Sequence, residues 1–170
     1  MQQPLNQEPL YAVHAAVAAL ALRCYEAHAE KDPARIGIVY DEGSTTVFPL
    51  TVGLLPRDVE SAYRAKITAD TDRQLLWNPE EFPVYASKGM SQQIDAATSD
   101  AIHAAIAADA DFYGQVKQAI NHGCGDANDT LAGKRCIAFA TDPELVDVRA
   151  NVEAIGNIPA EIAEEMPDWF

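Results

Sequence analysis

The sequence is short of positive charge: 12 Lys and Arg stand against 26 Asp and Glu, a formal net charge of −14. Phosphate binding needs clustered Lys and Arg, so neither nucleic acid nor an anionic membrane surface is an expected partner. Long apolar runs are missing too. The longest, residues 13–22, contains His14, ends at Arg23 and falls short of the ~20 apolar residues of a membrane span. No basic region precedes that run, so no signal peptide is expected and the expected location is the cytoplasm. Cysteine is scarce: Cys24, Cys124 and Cys136 make an odd set without a C-x-x-C pair. Reduced, structural thiols are the expectation.

Motifs of known chemistry are absent as well. The chain has no G-x-x-x-x-G-K-[ST] phosphate loop, no G-x-G-x-x-G after a strand and no G-x-S-x-G nucleophile elbow. No cofactor is expected. Residues 121–133, rich in Gly, Asn and Asp, read as the clearest loop. Within it His122, Cys124 and Asp126 set a thiol near a base, which makes this the first place to look for an enzyme of unrecognised type. The plainer alternative is a loop thiol, because residues two apart rarely reach productive geometry. His122 and Cys124 supply two zinc ligands at most. Asp126, Asn128 and Thr130 start like a calcium loop, but Leu131 stands where glycine is required and Ile137 where the bidentate glutamate belongs. No metal is expected. Asp70 with Asp72 and Glu80 with Glu81 read as solvated surface in so acidic a chain.

What is there is the composition of a globular protein. The 170 residues are 48% hydrophobic and 22% charged, enough for one domain with a real core. Residues 9–30 read as an amphipathic helix, with Leu10, Val13, Val17, Leu20 and Cys24 in one stripe. Lys31, Asp32 and Pro33 end it. The period then changes: residues 35–40 and 45–50 are β-branched runs around the turn cluster 41–44, a predicted β-hairpin. Pro49 suits a strand end. Pro56 opens a second helix with Asp58 and Glu60 in its first turn. Residues 75–77 read as extended, 78–83 as a proline-pinned turn and 84–86 as a short strand. Trp77, Phe82 and Tyr85 gather there, as core or as an exposed recognition patch. Helical composition returns over 91–108 and 110–120, with a break near Asp109. Residues 135–141 read as a strand, Pro143 starts a helix, and Trp169 and Phe170 either dock or hang free. The predicted fold class is α+β: a small, mainly antiparallel sheet with several packed helices, opening on a long helix followed by a hairpin.

Several local phrases carry a resemblance. The helix followed by residues 36–40 and 45–49, the phrase Trp77-Asn78-Pro79-Glu80-Glu81-Phe82, the phrase Phe112-Tyr113-Gly114 and the strand closing at Asp142 come in order along the chain. Together they resemble a bacterial domain-of-unknown-function family of small α+β proteins, whose members carry a W-x-P-x-E-W phrase. Phe82 here takes the place of the second tryptophan. Some similar families occur beside polymorphic toxins and look like immunity proteins. The resemblance therefore implies a non-enzymatic binding protein that blocks a cognate toxin, and it implies no catalytic residue. The net charge agrees, since an acidic face attracts a basic protein partner over long range. Candidate partner-binding residues are Glu80 and Glu81 in the turn and Asp126 and Asp129 in the predicted loop. An enzyme with its site near His122–Asp126, or a small adaptor or ligand-binding domain, are the alternatives.

Overall fold

The computed structural model describes residues 7–40, 48–86, 91–92 and 94–170. A 20-residue helix, α1 (Glu8–Ala27), leads through a 3₁₀ turn into β1 (Pro33–Val39). β2 (Leu50–Pro56) returns antiparallel to β1, so the predicted hairpin exists. Its second strand lies later than the expected 45–50. Leu50 begins it, and the predicted turn and the first part of the predicted strand (41–47) lie outside the described residues. Pro49 directly precedes β2, after a cis peptide bond.

Helix α2 (Arg57–Lys66) follows with Pro56 as its N-cap, one residue from the expected start. Residues 75–77, expected to be extended, instead end a 3₁₀ helix (Asp70–Leu76). There Asp72 accepts backbone hydrogen bonds from Thr68 and Ala69 and closes the turn. After a second 3₁₀ turn (Pro79–Glu81) come β3 (Val84–Tyr85) and β4 (Ser91–Gln92), both paired with β2. Helix α3 (Ala96–Ala108) therefore starts later than residue 91. Asp95 caps it by accepting from the Thr98 amide at 2.9 Å.

The largest departure from expectation is α4 (Phe112–Leu131). Residues 121–131, read as loop from their glycines, are the second half of this helix. The physical reason is packing against α1: a Cβ on Gly123 would stand 2.6 Å from the His14 carbonyl oxygen and 2.7 Å from Val17 Cβ. Glycine here lets two helices approach closely, and the buried stripe Val116, Ile120, Cys124, Ala127 and Leu131 more than offsets its low helix propensity. β5 (Ile137–Thr141) then pairs parallel to β1. Pro143 does not open a helix; Asp142 instead caps a turn by accepting from the Glu144 and Asp147 amides, and α5 (Val148–Ile155) follows. A short α6 (Ala160–Ala163) precedes the end.

The fold is α+β as predicted, and among the described residues three of the four strand pairings are antiparallel. The spatial order is β3-β2-β1-β5, with β4 also on β2. Alternating side chains divide between two cores, as the period of a strand requires. Ile36, Ile38, Val52, Leu54, Ala138 and Ala140 join α1 and α4 on one face. Ile137 and Phe139 meet Trp77, Phe82, Val148 and Met166 on the other. Among the described residues no helix is long and apolar enough to cross a membrane.

β5 lies at the sheet edge, where unpaired backbone groups are a hazard. Asn128 covers it: its Nδ2 donates to the Ala138 carbonyl at 3.0 Å, and the Ala138 amide donates to its Oδ1 at 2.6 Å. Asn151 Nδ2 donates to the Ala140 carbonyl. Asn128→Ala strands two buried backbone groups and is expected to lower stability by about 2–3 kcal/mol, measured by urea denaturation. A midpoint unchanged from the parent would show that this edge needs no cover.

Candidate functional site

The sequence-flagged residues separate once placed. His122, Cys124 and Asp126 share α4, but Cys124 is fully buried while His122 and Asp126 are exposed. Burial raises the Cys124 thiol to about 12, and likewise Cys136 to about 12 and Cys24 to about 11. A thiol facing the core and held protonated is no nucleophile for an exposed imidazole. All three cysteines are unpaired and buried, as expected for structural thiols. Native protein at pH 8 is expected to leave a thiol-specific reagent such as DTNB unreacted and to release three equivalents on denaturation. Rapid reaction of one thiol in the native state would contradict that placement.

Asp126 turns to α1 instead, where its Oδ2 lies 2.5 Å from His14 Nε2, with the His122 ring 5.9 Å from that of His14. Among the described residues no three His, Cys, Asp or Glu side chains are arranged to hold a metal. Asp129 accepts a hydrogen bond from Asn157. Glu80 and Glu81 stand exposed on the 3₁₀ turn over the opposite face of the sheet. The structure therefore does not gather the four acidic candidates into one surface. The turn that carries Glu80 and Glu81 is itself an anchor: Pro79 sits over the paired glycines Gly37 and Gly53, and Trp77 and Phe82 are buried edge-on to Phe139. Packing thus explains Trp77 and Phe82, while Tyr85, the third aromatic of the cluster, is half-buried on β3.

Two polar constellations escaped the sequence. The first joins Arg35, Glu60, Arg64 and Glu165. Arg35 is fully buried on β1; its Nε donates to Glu60 at 2.6 Å, its Nη2 to Glu165 at 2.9 Å and its Nη1 to the Leu76 carbonyl at 3.1 Å. Arg64 closes the ring onto both carboxylates. The Arg35 guanidinium lies 4.6 Å over the Trp77 ring, whose buried Nε1 has no hydrogen-bond partner among the described residues. Burial lowers the Arg35 guanidinium, against the pull of Glu60 and Glu165. Burial would raise the Glu165 carboxyl, but Arg64 and Arg35 together hold it below its ordinary value.

The second lies at the carboxyl ends of the parallel pair β1 and β5, the place where α/β sheets commonly bind ligands. Tyr40, the residue after β1, donates to Asp147 at 2.7 Å, as does Lys117 from α4. Asn151 donates to Tyr40 at 2.8 Å, and Asn121 donates to Asn151 at 2.9 Å. Burial raises the Tyr40 phenol, so it acts as a donor and not as a base. Here the crevice is filled by side chains of α4 and α5 that lock onto the strand ends. Residues 112–121 and 147–151 would have to be known as neighbours for this set to be seen in the sequence.

No protein-family profile, no curated protein and no solved structure matches this chain. The chain presents a set of buried polar groups that brace the fold, beneath a surface rich in exposed carboxylates.

Proposed function

We propose that the chain is a non-enzymatic binding protein of the immunity type, which docks an acidic face over a basic toxin and shields it from substrate. The observation that supports this reading is the segregation of charge. Arg35, Arg57, Arg64, Arg73 and Lys117 are each engaged by carboxylates of the same chain, and Arg149 by the Pro167 and Phe170 carbonyls. Apart from Glu60, Asp142 and Glu165, which are buried or half-buried, many acidic residues face outward. Asp95, Asp100, Asp109 and Asp111 are exposed on or beside α3, in a stretch (91–116) without one Lys or Arg. Between them the alanines Ala97, Ala101, Ala104 and Ala108 are exposed, so the α3 surface is flat as well as negative. Such a surface speeds encounter with a basic partner and repels an acidic one. Burial of Cys124 meanwhile removes the thiol from the competing enzyme reading.

The test is affinity purification of the N-terminally tagged chain from its native cell at low salt. It is expected to yield one basic protein in equal stoichiometry, lethal when expressed alone and harmless beside this chain. Lys substitutions at Asp100, Asp109 and Asp111, which leave the Asp95 cap of α3 in place, are expected to weaken that complex at least tenfold. Parallel reversals at Glu80 and Glu81 and at Asp126 and Asp129 report on the other two candidate faces. Absence of any stable partner under these conditions sinks the reading.

A further inference from the structure

The helices α1 and α4 pack backbone to backbone at Gly123, where a Cβ would stand 2.6 Å from the His14 carbonyl oxygen. That approach brings His14 beside His122, the residue before Gly123. Their ring centroids are 5.9 Å apart, and both side chains line a groove of about 270 Å³ between the two helices. Asp126 follows His122 by one turn of α4, the spacing that sets two side chains on one helix face. Its Oδ2 lies 2.5 Å from His14 Nε2. Two imidazoles and a carboxylate therefore gather from two rigid helices, and helices hold such groups more precisely than loops do. Among the described residues neither Lys nor Arg lines the groove, and the net charge of −14 favours a cation.

Imidazole nitrogen with carboxylate oxygen is a donor set of zinc and its transition-metal neighbours, whereas magnesium and calcium take oxygen alone. Metal–nitrogen bonds of about 2.0–2.1 Å put two imidazole centroids on one ion roughly 5–6 Å apart, a separation that His14 and His122 already have. Of the three groups, His14 and Asp126 are in contact and His122 stands aside. His122 is exposed, and an exposed side chain changes rotamer within nanoseconds. Closing the set takes that one rotation and a widening of the His14–Asp126 pair, with the ion in place of the proton they share.

We propose that His14, His122 and Asp126 bind a divalent transition-metal ion, zinc above all, which pins α1 to α4 with water in the fourth position. The set has no local signature, since His14 lies 112 positions from Asp126. It shares no residue with the acidic surface on α3, and either assignment can fail alone.

The test is isothermal titration of the untagged full chain with zinc chloride, in excess calcium chloride to occupy unspecific carboxylates. One equivalent of zinc is expected to bind at micromolar concentration. His122→Ala, His14→Gln and Asp126→Asn are each expected to weaken it at least tenfold. Substitution of the other two histidines, His28→Ala and His103→Ala, is expected to leave it unchanged. Zinc is also expected to raise the thermal midpoint of the parent and not that of His122→Ala, because an ion held by the native state alone stabilises that state. His122→Ala removes an exposed side chain and installs the best helix former, so the variant folds. Absence of saturable zinc binding at one millimolar overturns the proposal, and so does unchanged affinity in His122→Ala. Cobalt in place of zinc is expected to show visible bands of nitrogen and oxygen ligation; a thiolate charge-transfer band would put the ion on cysteine and overturn the site.

Discussion

Arg35→Ala lowers the unfolding free energy by about 3–5 kcal/mol, the cost of leaving buried carboxylate unpaired. Arg35 has no exposed surface, and the Glu60 side chain that it bonds is only 7% exposed. With the guanidinium gone, Glu60 keeps Arg64 alone, the Leu76 carbonyl loses its donor, and the Trp77 ring loses the cation above it. The network ties four separate parts of the chain: β1, α2, the 3₁₀ helix before Trp77 and the C-terminal segment at Glu165. Urea denaturation followed by Trp fluorescence reads the loss. Arg35→Lys separates charge from geometry, since one ammonium cannot serve Glu60, Glu165 and Leu76 together, and it is expected to recover only part of the stability. The same network sets a pH dependence. Glu165 is depressed in the folded state below its ordinary value of 4.5, so its contribution is complete above that pH and is lost as the pH falls through the folded value. Glu165→Gln is expected to be less stable at neutral pH and to show a flatter loss as the pH falls below 4.5. A parent-like acid profile in that variant would assign the acid sensitivity to other carboxylates.

Much of the fold was legible because its elements advertise themselves locally. The stripe from Leu10 to Cys24 repeats at helical spacing, and α1 is where that stripe lies. Residues 35–40 and 135–141 are short apolar runs, and they became the adjacent parallel strands β1 and β5. β2 was displaced because its own run, Leu50–Pro56, is buried almost without alternation and is interrupted by Gly53, so the β-branched residues just before it carried the stronger strand signal. The second half of α4 was lost because glycine has two opposite meanings. It frees a chain for turns, and it also lets a helix sit close on its neighbour, and only the position of α1 decides which applies at Gly123. The site was less legible than the fold for a related reason. Arg35, Glu60 and Glu165 are separated by 25 and 105 positions. Spacing rules report on one helix or one strand. They are blind to charges that the topology brings together.

Gly53→Ala is expected to cost about 3 kcal/mol, at the upper end of overpacking penalties, because the added methyl meets backbone. A Cβ there would stand 2.3 Å from the Pro79 carbonyl oxygen and 2.8 Å from its carbonyl carbon. Its cross-strand partner Gly37 faces the same residue, but the atoms met are side chain: Pro79 Cγ at 2.3 Å and Cβ at 2.9 Å, with Phe139 Cζ at 3.0 Å. The two glycines form a notch in the sheet into which the turn between Trp77 and Phe82 is set, and filling either side lifts that turn and the aromatic rings it anchors. The difference in contacted atoms separates the two variants. Pro79→Gly removes the ring that obstructs Gly37→Ala and is expected to restore part of its stability. For Gly53→Ala it removes the contact with Pro79 Cβ at 2.7 Å but leaves the carbonyl in place, so it is expected to restore less there than at Gly37→Ala. The Gly37→Ala, Gly53→Ala double variant is expected to lose less than the sum of the single losses, since one displacement of Pro79 relieves both clashes. Full additivity, or a complete rescue of Gly53→Ala by Pro79→Gly, would show that the turn is not seated on the glycine pair.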